Sequence, residues 1–229
     1  MALPWLLLLE LALYISCFVC GIVTAAAITI VQGNFGGRCM LYGVVKYNDT
    51  ADLIGIQSAS SSSLCYFVSA VSVTVAVVCF SLSLYGLYMY CVDGEVSRQR
   101  TWMSVIMALS AVFLFFLLIT GCVAKIGRDS LCNSVIKSVP NVTSCEEAQT
   151  RKWVRPLEGA RFYNSLVKAE TAVWVNFFLW LIIGALVVFQ RRRGSGSKNI
   201  AGGSGGPAGG LFADAGVTAA ETEPFFNRS

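Results

Sequence analysis

Apolar residues in this chain gather into four long runs instead of recurring at the spacing of a half-buried helix or strand. They are 11–31, 65–91, 102–124 and 171–190, and none holds a charged residue. About 20 helical residues cross the roughly 30 Å of hydrocarbon in a bilayer, so each run is long enough to span it. Aromatic residues stand near the run ends (Trp5, Tyr66, Tyr90, Trp102, Trp174), where amphipathic rings favour headgroup level. The pattern predicts an all-α membrane protein, a four-helix transmembrane bundle with a small disulfide-braced cap. The first run ends near a small-residue stretch, Thr24–Ala27, that resembles a cleavage site. It lacks a basic leader and exceeds the 7–15 residues typical of a signal peptide's apolar region, so an uncleaved anchor is expected.

Between the runs lie two longer connections, 32–64 and 125–170, and a short one, 92–101. The sequence then ends in a tail, 191–229. With four spans the two longer connections share a face. Both carry glycosylation acceptors, Asn48-Asp49-Thr50 and Asn141-Val142-Thr143. Cys39, Cys132 and Cys145 lie in the same connections, with Cys65 at the junction, and none falls in 92–101 or the tail. Structural disulfides persist in oxidising compartments, so this face is expected to be lumenal or extracellular, with both termini cytosolic. Basic residues give a divided vote. Seven of seventeen fall on the cytosolic side, yet six of those crowd into 92–101 and 191–198. Density in short flanks governs orientation more than totals over long loops.

Four cysteines allow three pairings. Pairing within each connection, Cys39–Cys65 and Cys132–Cys145, is favoured; a crossed pairing that staples the two connections together is the alternative. The first connection contains "GRCMLYGVVKYN", read as one or two short strands, followed by a flexible polar connector, "QSASSSS". The second begins with "RDSLCNSVIKS", read as a short helix capped by Asp129. The spacing of Phe162, Leu166 and Val167 predicts that the fourth helix projects a turn or two above the bilayer. The tail has nine glycines in thirty-nine residues and is expected to be disordered. Its end, "ETEPFFNRS", is either a docking peptide or an unpartnered terminus.

Composition narrows the function by exclusion. Of 229 residues 55% are hydrophobic and 13% charged, about half the charged fraction of soluble domains. A net charge of +4 without a basic face gives no footprint for nucleic acid. The chain has nine cysteines and no histidine, which removes the commonest general base and metal ligand. Cys17 and Cys20 read as buried thiols. No catalytic set, cofactor or metal site is expected. Glu10 is the one candidate for an intramembrane charge; starting the helix near Leu11 leaves it among headgroups, with a functional buried acid as the alternative. Hydroxyls within the spans are expected to bond back to their own helices. Gly21 with Ala25, and Ser104 with Ala108, offer small-residue contacts. Cys91 ends the second run at a position suited to palmitoylation, against a bare interfacial thiol.

These residues resemble the transmembrane protein 179 family, in its B branch. The match rests on "MALPWLLLLELAL", "QGNFGGRCMLYG", "SLCYFV", "SLCNS", "SCEEAQ", "FYNSL" and "AETAVWVN", in order from residue 1 to about 190. The glycine-rich tail departs from that pattern. The resemblance implies a four-pass membrane protein with cysteine-bearing lumenal loops matched at Cys39, Cys65, Cys132 and Cys145, in plasma or secretory-granule membranes. The Cys-Cys-Gly motif of tetraspanins and the Trp-rich first-loop signature of claudins are both missing. Synaptophysin-like proteins share the architecture alone. The expected role is non-catalytic, organising protein partners through the loops and helices or assisting vesicle traffic within membrane lipid. The alternative is a channel, a transporter or an accessory subunit of one.

Overall fold

The computed structural model describes residues 3–93 and 100–201. Four α-helices dominate: α1 Leu3–Asn34, α2 Ser62–Asp93, α3 Arg100–Ser138 and α4 Phe162–Ala201. Each contains a stretch long and apolar enough to cross a membrane: Trp5–Asn34, Ser62–Cys91, Thr101–Ser138 and Phe162–Arg193. Uncharged apolar runs form helices because lipid offers no partner for backbone N–H and C=O groups, and a helix satisfies them internally. At 1.5 Å per residue α3 is about 58 Å long, nearly twice the hydrocarbon thickness, so it projects well beyond the bilayer.

Side-chain contacts set the helix order as α2, α1, α4, α3. Gly21 lets α1 approach α2 so closely that a Cβ there would stand 2.7 Å from the Ser72 carbonyl oxygen. Phe18 and Phe80 join the same pair of helices at 5.6 Å between ring centroids. Phe113 of α3 stacks on Trp180 of α4 at 4.8 Å, and the Gly121 site lies against Trp174. Tyr85 and Trp102 bring α2 and α3 together at 4.4 Å. The apolar interior collects Cys17, Val75, Cys79, Ile106, Leu117, Val173, Trp180 and Ile183.

A second core lies at the end of the bundle formed by the two long connections. There β1 Cys39–Asn48 pairs antiparallel with β2 Leu53–Ser60, in a register that runs from Asn48 opposite Leu53 to Val44 opposite Ser58. The ladder is irregular between Cys39 and Val45, where Tyr42 takes a left-handed φ of 62°. From Gly43 onward β1 alternates buried and exposed residues, the pattern of a strand with one covered face. Leu41, Val45, Ile54, Leu131, Val135, Phe35, Trp153 and Phe162 fill this core.

Several expectations need correction. Gln57–Ser60 belong to β2 instead of a flexible connector, since pairing with β1 supplies their backbone partners. "RDSLCNSVIKS" is no separate capped helix: α3 runs through it to Ser138, and Asp129 sits within that helix beside Arg128. Once formed, a helix gains one hydrogen bond per residue added, so no break is needed. For the same reason α4 continues past the arginine run, and 191–201 of the expected disordered tail are helical. Residues 94–99, which hold most of the short connection, and 202–229 lie outside the described residues, as does the candidate docking peptide. By contacts the chain divides into two units, Met1–Arg192 and Arg193–Ser229. The second is described only as the helical stretch to Ala201.

Candidate functional site

The candidate functional surface is the cap over one end of the bundle. Two disulfides brace it, Cys39–Cys65 and Cys132–Cys145, with Cα atoms 5.7 and 5.2 Å apart. Each closes within its own connection. The first ties the start of β1 to the opening turn of α2. The second ties the outer part of α3 to the segment that follows it. Each removes conformations from the unfolded ensemble, and the second, about 14 residues around, contributes roughly 3 kcal/mol on the chain-entropy estimate.

Both edges of the β-hairpin are occupied. Ser134 and Ser138 stand one turn apart on α3; the Val45 N–H donates to Ser134 Oγ at 3.0 Å, and Ser138 Oγ donates to the Val45 carbonyl at 3.2 Å. The two hydroxyls act as a substitute strand for β1. Along β2, the Ile54 N–H donates to the Lys152 carbonyl and the Val154 N–H donates to the Ile54 carbonyl, both at 3.0 Å, a short parallel bridge. An exposed strand edge invites pairing with another chain; here side chains and backbone cover these positions on both edges.

Trp153 anchors the second connection. Its ring meets Phe35, just past the end of α1, at 5.3 Å and Phe162 of α4 at 5.4 Å, each edge to face, and its indole N–H donates to the Ala148 carbonyl at 3.2 Å. Gly159 makes room for the indole, since a Cβ there would collide with it. Beneath this layer Arg128 of α3 reaches Glu170 of α4 at 2.5 Å, with side chains only 18% and 12% exposed. Arg128 also donates from Nε and an amino nitrogen to its neighbour Asp129, at 3.2 and 2.9 Å.

The glycosylation acceptors are exposed on the cap. Asn48 ends β1, and its Oδ1 accepts from both the N–H and the hydroxyl of Thr50, at 3.1 and 2.5 Å. That asparagine–threonine turn engages the Asn48 oxygen at the exposed hairpin tip. Asn141 adopts a left-handed φ of 59° beyond the end of α3, and the N–H and hydroxyl of Thr143 donate to Glu147 at 3.2 and 3.5 Å.

Glu10 lies elsewhere, at the opposite end of the bundle, and here the helix begins earlier than the expected Leu11. Because α1 starts at Leu3, Glu10 stands inside the helix, only 7% exposed, and accepts a 2.7 Å hydrogen bond from Gln190 Nε2 of α4. Pro4 is tolerated so near the helix start because the N–H it lacks has no partner there. Further into the bundle from Glu10 come Leu13, Tyr14 and Cys17, all buried in the apolar core. Cys91 is exposed near the end of α2, Cys122 is exposed on α3, and Cys17 is buried while Cys20 is partly so.

The span hydroxyls follow the expected pattern. Ser72, Ser83, Ser110 and Thr120 are buried, and each donates to the carbonyl four residues earlier at 2.7–2.9 Å. Gly21 lies at a helix contact, whereas Ser104 and Ala108 are exposed on the outer surface. Sequence reasoning missed the Ser134/Ser138 edge, the Trp153 hub and the Arg128–Glu170 pair. The four-residue spacing of the serines was the one signal on offer.

Comparison with known proteins agrees with this architecture. The family profile described as "Transmembrane protein 179/179B Claudin domain" matches residues 6–208. Transmembrane protein 179B of Danio rerio is 56% identical over 228 residues, covering 100% of this chain and 98% of that one. The proteins of that name from Homo sapiens and Mus musculus are 41% and 38% identical over 190 residues, each covering 83% of this chain and 85% of the relative. The Danio rerio match includes the tail, so the tail's departure from the family pattern is not general. No solved structure gives a significant match. The missing Trp-rich first-loop signature does not separate the chain from claudin-type domains, and the buried cap tryptophan comes from the second connection instead. The chain belongs to the transmembrane protein 179/179B family of claudin-domain membrane proteins.

Proposed function

We propose that this protein is a non-catalytic membrane organiser, holding protein partners beside it in plasma or secretory-granule membranes and assisting vesicle traffic. The cap faces the lumen or exterior, with glycans on Asn48 and Asn141, and both termini face the cytosol. The observation that carries the reading is the contrast between interior and surface. The interior is apolar, and its buried hydroxyls are spent on their own helices. The helix exteriors and the disulfide-braced cap are the surfaces left to meet other molecules. Cys91, exposed where α2 nears its end, is the position for a reversible acyl anchor.

A channel, transporter or accessory role rests on Glu10, a buried acid. Its bond to Gln190 and the apolar residues beyond it favour a structural tie between α1 and α4. Proximity labelling from the cap and from the tail in native cells, with flux assays on purified protein in liposomes, tests both readings. The organiser reading expects a stable set of membrane neighbours and no flux. A flux abolished by Glu10→Gln overturns it.

A further inference from the structure

Near the middle of α4, Asn176 and Trp180 stand one helical turn apart, 2% and 0% exposed. Asn176 Nδ2 donates to the Cys17 carbonyl of α1 at 3.4 Å, which fixes which way the amide points. Its Oδ1 has no hydrogen-bond partner among the described residues, and neither does the indole Nε1 of Trp180. One is an acceptor only and the other a donor only. Residues four apart on a helix are neighbours, and long helical side chains lean toward the N-terminus, the direction from Trp180 to the turn that carries Asn176. Phe113 covers the ring from α3.

Two complementary polar atoms, buried together in an apolar bundle, each bear the full cost of desolvation if left unmet. The other buried side-chain oxygen without a hydrogen-bond partner, Glu170 Oε2, already faces Arg128. We propose that Asn176 and Trp180 hold one structural water inside the bundle, which accepts from the indole N–H and donates to the amide oxygen. Two partners are the minimum that retains a buried water, and one water is the smallest ligand able to serve both groups. Through Asn176 and Cys17 the water joins α4 to α1. Its site is polar at a single level of the helices and opens no path along them.

The test is water-selective nuclear Overhauser spectroscopy on full-length protein in detergent micelles, labelled with 15N-tryptophan. Trp180 is the one tryptophan preceded by leucine, so 13C-carbonyl leucine labelling picks out its backbone amide, and an intraresidue correlation from that amide to the ring assigns its indole without mutation. The proposal expects a long-lived water cross-peak at the Trp180 indole N–H that is lost in Asn176→Leu. Wild-type protein alone decides the case if that variant fails to fold. No cross-peak at Trp180 overturns the proposal, whether the indole donates directly to Asn176 or stays dry. A cross-peak that survives unchanged in folded Asn176→Leu overturns it as well.

Discussion

Replacing Trp153 with alanine tests whether the cap is one packed unit. The substitution removes two edge-to-face contacts, with Phe35 and Phe162, and the donor that satisfies the Ala148 carbonyl. Aromatic pairs are worth about 0.5–1.5 kcal/mol each beyond area, and a buried carbonyl left unmet costs about 1–3 kcal/mol. Together they agree with the roughly 3–5 kcal/mol seen when a core Trp or Phe is truncated. At about 1.4 kcal/mol per tenfold, local opening of the cap should become roughly 150- to 4,000-fold more frequent. Cys132–Cys145 braces the segment that Trp153 pins, so its reduction rate under mild reductant, read by maleimide capture and mass spectrometry, reports that opening. Trp153→Phe keeps a ring and loses the donor, and should give about tenfold. Trp5→Ala, at an outward-facing position, should change nothing. A folded Trp153→Ala protein whose reduction rate stays within threefold of wild type would refute the reasoning.

Other perturbations read other parts of the molecule. Gly21→Ala forces a Cβ to within 2.7 Å of the Ser72 carbonyl and should destabilise the α1–α2 contact by about 1–3 kcal/mol. Gly86→Ala, with open space around it, should be neutral or slightly stabilising in the same thermal-shift assay. Glu170→Gln leaves Arg128 half-buried with Asp129 alone; the loss should be about 2 kcal/mol, between the values for exposed and fully buried pairs, and is measured by thermal unfolding in detergent. The Tyr47 hydroxyl donates to Asp52 at 2.5 Å, and that bond raises its pKa. The bond is therefore present below the ordinary tyrosine range and lost as pH rises through the shifted value. Asp52→Asn should move Tyr47 ionisation back down in an NMR titration.

Much of the fold was legible because lipid imposes a simple rule. Uncharged runs longer than 20 residues form helices, and cysteines absent from the short connection and the tail point to an oxidised face. Pairing within each connection was legible only as the favoured alternative to a crossed one, and the disulfides take it. What escaped was tertiary. Nothing local shows that α3 continues through Asp129, because what its outer turns meet, the β-hairpin against Leu131, Ser134, Val135 and Ser138, is distant in sequence. The tie that Glu10 makes to α4 is invisible locally because its partner, Gln190, lies 180 residues away. Trp153 stands in an unremarkable polar stretch, and its role exists only once Phe35, Phe162 and Gly159 converge. The Ser134 and Ser138 hydroxyls become strand partners only when the β-hairpin is laid across α3.

The measurement that bears most directly on the account is enzymatic deglycosylation of wild type, Asn48→Gln, Asn141→Gln and the double variant, with antibody access to a tail epitope scored on the same cells. The account predicts two glycan steps on a gel, one lost per single variant and both in the double. It also predicts tail staining that appears only after permeabilisation. Mobility unchanged by the enzyme, together with tail staining of intact cells, would put the cap on the cytosolic side and contradict the proposed role.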